Sequence, residues 1–363
     1  MTSDSTVVPV ASGPRPGAPP VPAERPRADP AARRLRSLDA ARGLAIAVML
    51  VTMNPGPLRG RPEQLIHPTW EGLRFVDLFF PLFLFAVGVS MTLSRRSLDG
   101  RQVLRRAAIL FGLGVGLSSL KHEGLFLTGV LQHIAVSYVL AAAVLRAPRG
   151  WHRPLAAGIV VALWAAYVLW AAGGDPWGQD GTDTLAHAVD DALYGGFRTE
   201  GTLQGVMSTV TVLGGAFAGY LIHRMPDRRR LFRALAVRSA GIVGLGLLLA
   251  LAVPINKRLW SPSFAVLTVG TSYAMFAACL WALDIRRFRR LLAPLIHLGT
   301  NPITIYVLFM TALALSRNYG PDLPRLAPLG SPSLGFLTYG LAWTALWWLL
   351  AFALYRRRIF LKV

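Results

Sequence analysis

The sequence predicts an all-α protein, a polytopic membrane helix bundle of about ten transmembrane helices with both termini cytoplasmic. Three observations carry that prediction. Of the 363 residues, 53% are hydrophobic and only 15% are charged, well below the ~25% charge of an ordinary soluble domain. From Leu38 onward the apolar residues gather into ten stretches of near-spanning length, at 38–54, 76–93, 103–120, 127–145, 154–172, 204–223, 232–253, 262–283, 291–315 and 333–355. The basic residues alternate in density from one connection to the next. The stretches lack period-2 alternation, which argues against a β-barrel. Helices satisfy every backbone group within each segment.

The net charge of +20, from 38 Lys and Arg against 18 Asp and Glu, suggests nucleic acid at first sight. Its distribution says otherwise. Arg95, Arg96, Arg101, Arg105 and Arg106 follow the second stretch. Arg146, Arg149 and Arg153 follow the fourth, and Arg224, Arg228, Arg229, Arg230 and Arg233 the sixth. Arg286, Arg287, Arg289 and Arg290 follow the eighth, and Arg356, Arg357, Arg358 and Lys362 close the chain. The odd-numbered connections are poor in Lys and Arg. One of them is acidic, with Asp175, Asp180, Asp183, Asp190 and Asp191. The excess charge is therefore a topology signal, and no nucleic-acid partner is expected. Residues 1–32 are rich in Pro, Ala, Gly and Ser. They read as a disordered cytoplasmic tail and not as a cleavable signal peptide. Residues 33–363 form the membrane domain. The single cysteine, Cys279, excludes an intrachain disulfide and a cysteine zinc cluster.

Polar residues are costly in hydrocarbon, so they mark the informative positions. Asp39 and Arg42 are three apart and share a helix face. They read as an ion pair near the inner interface or as the wall of a polar cavity. The connection from Asn54 to Asp77 carries His67-Pro68-Thr69-Trp70-Glu71-Gly72, and histidine serves near neutral pH as base, acid or acyl carrier. Asp77 opens the next stretch, where an acid is ordinary helix capping. Gln132 and His133 need buried partners, and interhelical hydrogen bonds are the usual ones. Glu200-Gly201 precedes the sixth stretch. Asn256 and Lys257 lie in Pro254-Ile255-Asn256-Lys257-Arg258-Leu259-Trp260. Pro302 frees a carbonyl one turn earlier, which Asn301 satisfies unless it faces a substrate. His67, Asn54, Glu71, Asp77, Lys121, His122, Glu123, Glu200, Asn256, Lys257 and Asn301 are expected to cluster toward the outer half as one polar site. No P-loop, HExxH or Gly-x-Ser-x-Gly motif is present.

The order of these pieces resembles the heparan-α-glucosaminide N-acetyltransferase family of multi-span membrane acyltransferases. The resemblance rests on Arg36–Gly43, Asn54, His67-Pro68-Thr69-Trp70-Glu71-Gly72-Leu73, Asp77–Phe85, Gly129–Gln132, Glu200-Gly201, Pro254–Trp260 and Gly299–Ile303. It implies transfer of an acetyl group from cytosolic acetyl-CoA, as co-substrate, to an amino sugar or related glycan acceptor on the outer face. It places the catalytic histidine at His67, with Asn54 beside it. Asp39, Arg42, Trp70, Asp77, Gln132, Glu200, Asn256, Lys257 and Asn301 then bind substrate or shape the site, and no metal is implied. The luminal domain that precedes the spans in the animal enzymes is expected to be absent, and a heparan acceptor is not implied. The expected setting is multi-pass in the plasma membrane, among lipid, with a homo-oligomer allowed. The competing reading is a multi-span transporter or flippase for a sugar or lipid-linked substrate. It requires inverted-repeat symmetry and has no need of His67.

Overall fold

The computed structural model describes residues 35–54, 60–94, 98–122, 125–179, 182–196, 200–319 and 331–361, without the side chains of 122 and 317–319. The expected tail at 1–32 and Glu123 lie outside the described residues. Among those described there are helices and turns and no strand.

Each of the ten apolar stretches is helical. The helices are α1 (Arg36–Thr52), α2 (Phe79–Leu93), α3 (Gly100–His122), α4 (Val130–Arg146), α5 (His152–Trp170), α7 (Thr202–Arg224), α8 (Arg228–Leu249), α9 (Pro262–Leu280), the pair α10 (Ala293–Thr300) and α11 (Pro302–Tyr319), and α12 (Pro332–Arg356). A further short helix, α6 (Leu185–Tyr194), stands in the acidic connection that was expected to be loop. Among the described residues seven helices are long and apolar enough to cross a membrane, and eight if α10 and α11 count as one broken span. The helix α4 is apolar but shorter. The chain is thus an integral membrane protein of several apolar helices.

The ninth stretch is not one straight span, because α10 and α11 meet at 81°. Pro302 begins α11, where its missing N–H is no loss, and its ring prevents α10 from continuing through it. Asn301 occupies the break.

Three tight crossings organise the bundle, and each uses a glycine from both helices. A Cβ on Gly43 would strike the Leu295 carbonyl, and one on Gly299 would strike the Asp39 carbonyl, so α1 and α10 meet backbone to backbone. Gly88 and Gly215 do the same for α2 and α7, as do Gly246 and Gly270 for α8 and α9. Such contacts suit a lipid-embedded bundle, where helices gain little from hiding apolar surface and rely on close packing.

The two ends of the bundle differ. At one end the Arg146 guanidinium donates to the Leu98 carbonyl, His223 contacts the Thr92 carbonyl at 2.9 Å, and Tyr220 lies against His152. At the other end Gln204 donates to the Arg258 carbonyl, the Gly72 amide donates to the Ile255 carbonyl, and Gly60 packs on Pro332. The Arg-rich even-numbered connections therefore share one end.

Gly43→Ala is expected to lower the thermal midpoint in detergent by several degrees, because α1 and α10 must separate. Gly158→Ala, with nothing within 4 Å of the added carbon, is expected to leave it unchanged. Equal midpoints for the two variants would show that the crossing is not a tight one.

Candidate active site

The site is built where two non-helical segments meet at the end opposite the Arg-rich connections. The first runs from Gly60 into the 3-10 turn Phe75–Leu78 that leads into α2. Asp77 lies in that turn and is fully buried, while His67 is half exposed. The His67 Nδ1 is 2.6 Å from Asp77 Oδ1, and the Arg74 amide donates to Asp77 Oδ2 at 2.9 Å. One carboxylate thus caps the turn and orients the imidazole.

The second segment is the turn from Pro254 to Ser261. Asn256 Oδ1 accepts from the Leu259 amide at 3.0 Å, the Asn256 amide donates to Ser261 Oγ, and Ser261 Oγ donates to the Pro254 carbonyl. Trp260 takes a left-handed backbone conformation, φ 52°, which is uncommon for a residue with a bulky side chain. This knot delivers Lys257. Its Nζ is 3.3 Å from Asp77 Oδ1, 3.0 Å from His67 Nδ1 and 3.2 Å from His67 Nε2. Near-equal distances to both ring nitrogens place the ammonium over the imidazole, because an in-plane hydrogen bond would favour one nitrogen.

A buried carboxylate needs a partner, and Asp77 has two. Lys257 is itself mostly buried. Burial pushes its ammonium below the usual lysine range, against the opposing pull of Asp77 and Glu200. Glu200 stands just before α7. Burial raises its carboxyl, against the pull of Lys257, Lys121, His67 and Arg258. His67, Asp77, Lys257 and Glu200 therefore form one electrostatic group.

Residues 34–173 match the family model described as heparan-alpha-glucosaminide N-acetyltransferase, catalytic. The mouse protein named heparan-alpha-glucosaminide N-acetyltransferase is 26% identical over 413 residues, covering 92% of this chain and 61% of its own length. Its human counterpart is 26% identical over 409 residues, covering 91% of this chain and 60% of its own. The chain is similar to the heparan-alpha-glucosaminide N-acetyltransferases. It spans about three fifths of the length of these curated relatives. The resemblance read from the motifs is thereby supported over most of the chain.

The other expected site residues fall into three groups. Trp70 is buried among Tyr167, Trp177, Val253 and Leu259, and its indole donates to the Gly178 carbonyl at 2.7 Å. It holds the His67 segment in place. Asn54 sits at the end of α1 and donates to the Val51 carbonyl at 2.7 Å, against Gly340 of α12. The His67 ring is contacted by Asp77. Gln132 joins α4 to α3, its amide 3.4 Å from Ser118 Oγ.

The third group lies at the far end. Asp39 and Arg42 form the expected i,i+3 ion pair at 3.6 Å, and Arg42 also bonds to Ser90 of α2. About 13 residues of α1 separate them from Asn54, a rise of ~20 Å. Asn301 also departs from the expected outer cluster. Its Nδ2 donates to the Ile359 carbonyl and its Oδ1 accepts from the Leu361 amide, both at 2.9 Å. It clamps the segment after α12 at the end that holds Asp39. A side chain with both groups so engaged is held in a fixed place.

Two contributors were not singled out as site residues from the sequence. His133 packs edge-on to Phe80 and against Trp260, with ring centroids 5.2 and 5.1 Å apart. Trp260 belongs to the same turn as Lys257. The paired Gln132-His133 was the only sequence signal for the first. Among the described residues no three His, Cys, Asp or Glu side chains are placed to share a metal ion.

Asn301→Ala is expected to speed amide exchange at Leu361 by about tenfold, the loss of one hydrogen bond, without altering exchange at Leu259. Unchanged exchange at Leu361 would remove the clamp.

Proposed function

We propose that this protein is a membrane acetyltransferase. It carries an acetyl group from cytosolic acetyl-CoA to an amino sugar or related glycan acceptor on the outer face, with His67 at the reacting centre. The carrying observation is a half-exposed imidazole bonded through Nδ1 to a fully buried carboxylate, with a lysine over its ring. The names of the relatives, which specify a glucosaminide amine, support an amine acceptor. The Arg-rich end faces the cytosol under the positive-inside rule, so both termini are cytoplasmic; ten segments crossing or entering the bilayer and a plasma-membrane setting complete the proposal.

Asp77 Oδ1 accepts a hydrogen bond from the His67 Nδ1–H, which leaves the Nε2 lone pair for chemistry. As an acyl carrier, Nε2 adds to the thioester carbonyl and the carbonyl pair moves to oxygen. Its return expels CoA as the thiolate. The acceptor amine then adds to the acetyl carbon, loses a proton, and the imidazole leaves. As a general base, Nε2 instead takes the amine proton while the amine adds to the thioester carbonyl, and collapse of the adduct breaks the C–S bond and releases CoA, whose sulfur takes the proton from Nε2. Asp77 stabilises the positive ring formed on either route. Lys257 balances Asp77 when the ring is neutral.

Two experiments test this. Membranes given radiolabelled acetyl-CoA and glucosamine are expected to form labelled N-acetyl product. His67→Ala is expected to lower the rate by at least about 100-fold, and an unchanged rate would sink the role of His67. In Lys257→Met the rate is expected to fall by about tenfold or more, because the buried Asp77 carboxylate loses its ammonium partner. An unchanged rate would contradict this arrangement.

A further inference from the structure

The turn that carries Lys257 also presents polar atoms whose hydrogen-bonding capacity the protein leaves unused. Asn256 Nδ2, Trp260 Nε1 and His133 Nδ1 are buried and have no hydrogen-bond partner among the described residues. Their residues are 0%, 2% and 2% exposed. Each such atom is costly and needs an explanation, of which a bound water, ion or ligand is one. Here the three are neighbours. Asn256 and Trp260 share one turn, closed by the Ser261 amide on the Asn256 carbonyl and the Trp260 amide on the Lys257 carbonyl. The His133 ring is 5.1 Å from the Trp260 ring, and Phe80 packs edge-on to both. Lys257, whose ammonium covers His67, is within electrostatic range of His133.

The donor and acceptor pattern selects the ligand. Trp260 Nε1 and Asn256 Nδ2 can only donate. Ser208 Oγ lies 2.7 Å from His133 Nε2, with the Gly205 carbonyl at 3.0 Å and Ser137 Oγ at 2.5 Å as partners for its own proton. In the tautomer that puts the His133 proton on Nε2, Nδ1 offers a lone pair. Two donors and one acceptor among aromatic faces fit a group that both accepts and donates, which is a hydroxyl. They do not fit an oxyanion, which the His133 lone pair would repel, nor an ammonium, which two N–H donors would repel.

We infer that Asn256, Trp260 and His133 form a hydroxyl-recognition subsite, which binds an alcohol group of the acceptor sugar beside the His67 centre. The inference rests on the acetyltransferase reading, and it assigns the role of specificity to residues that do not touch the reacting atoms.

The test measures equilibrium binding of radiolabelled glucosamine, and of its 3-, 4- and 6-deoxy analogues, to the purified full-length protein without acetyl-CoA. One deoxy analogue is expected to bind at least about tenfold more weakly than glucosamine, since a site built around a hydroxyl rejects the ligand lacking it. Trp260→Phe removes the indole N–H and keeps an aromatic ring. It is expected to weaken glucosamine binding about tenfold while leaving that one analogue unaffected, so the discrimination collapses. Asn256→Asp keeps the oxygen that holds the Leu259 amide and loses the donor, and it is expected to act in the same way. Equal weakening of all four sugars by both variants, or none, would overturn the subsite. Because binding is read without transfer, a protein that binds glucosamine with this selectivity yet forms no N-acetyl product keeps the subsite and overturns only the acetyltransferase reading.

Discussion

A buried carboxylate in a lipid-embedded bundle is the constraint around which this protein is arranged. Asp77 has no exposure, so its charge must be met by side chains rather than water. Two segments meet it. The loop before α2 brings back His67, ten residues away, and the turn before α9 brings Lys257, 190 residues beyond His67. Neither segment is a helix, and backbone of that kind at a bundle end must be held by something else. Trp70 pins the first through Gly178 and the Tyr167–Trp177 cluster, and the Asn256–Ser261 hydrogen bonds knot the second. The charge pairing and the loop packing therefore depend on each other.

The helices supply the rigid frame for that pairing. Reciprocal glycine contacts at α1–α10, α2–α7 and α8–α9 set backbones against each other with no side chain between them. Two of these pairs contain a helix that feeds the site, since α2 follows Asp77 and α9 follows Lys257. The far end is braced separately, by the Asp39–Arg42–Ser90 contacts and by Asn301 on the C-terminal segment. Polar residues thus serve different ends of the bundle, and a polar residue in a span is not by itself part of a reacting site.

Much of the frame was legible in the sequence, because apolar length is the same quantity that a membrane selects. The stretch at 76–93 became Phe75–Leu93 and that at 204–223 became Thr202–Arg224. Pro302 announced a disturbance, but its size, a turn of 81°, depends on how α10 packs on α1 and could not be read from one residue. The helix α6 was missed because ten residues with two adjacent aspartates look like loop. Within the site, His67 and Asp77 stood out as residue types but not as a pair. Their contact passes through irregular backbone, where no period relates positions. Asp77 was read as a cap, and it is one, through its second oxygen. Asn301 was misplaced because its partners are backbone groups about 60 residues further along.

The central claim is that Asp77 and Lys257 act on His67 as a unit, and a double-mutant cycle on acetyl transfer tests it most directly. Asp77→Asn and Lys257→Met would each be measured alone and together, with glucosamine as acceptor. A coupled pair predicts that the double variant loses no more rate than the worse single variant, since the second change removes a charge that the first has already left unbalanced. Losses that multiply, each variant acting independently of the other, would contradict the account.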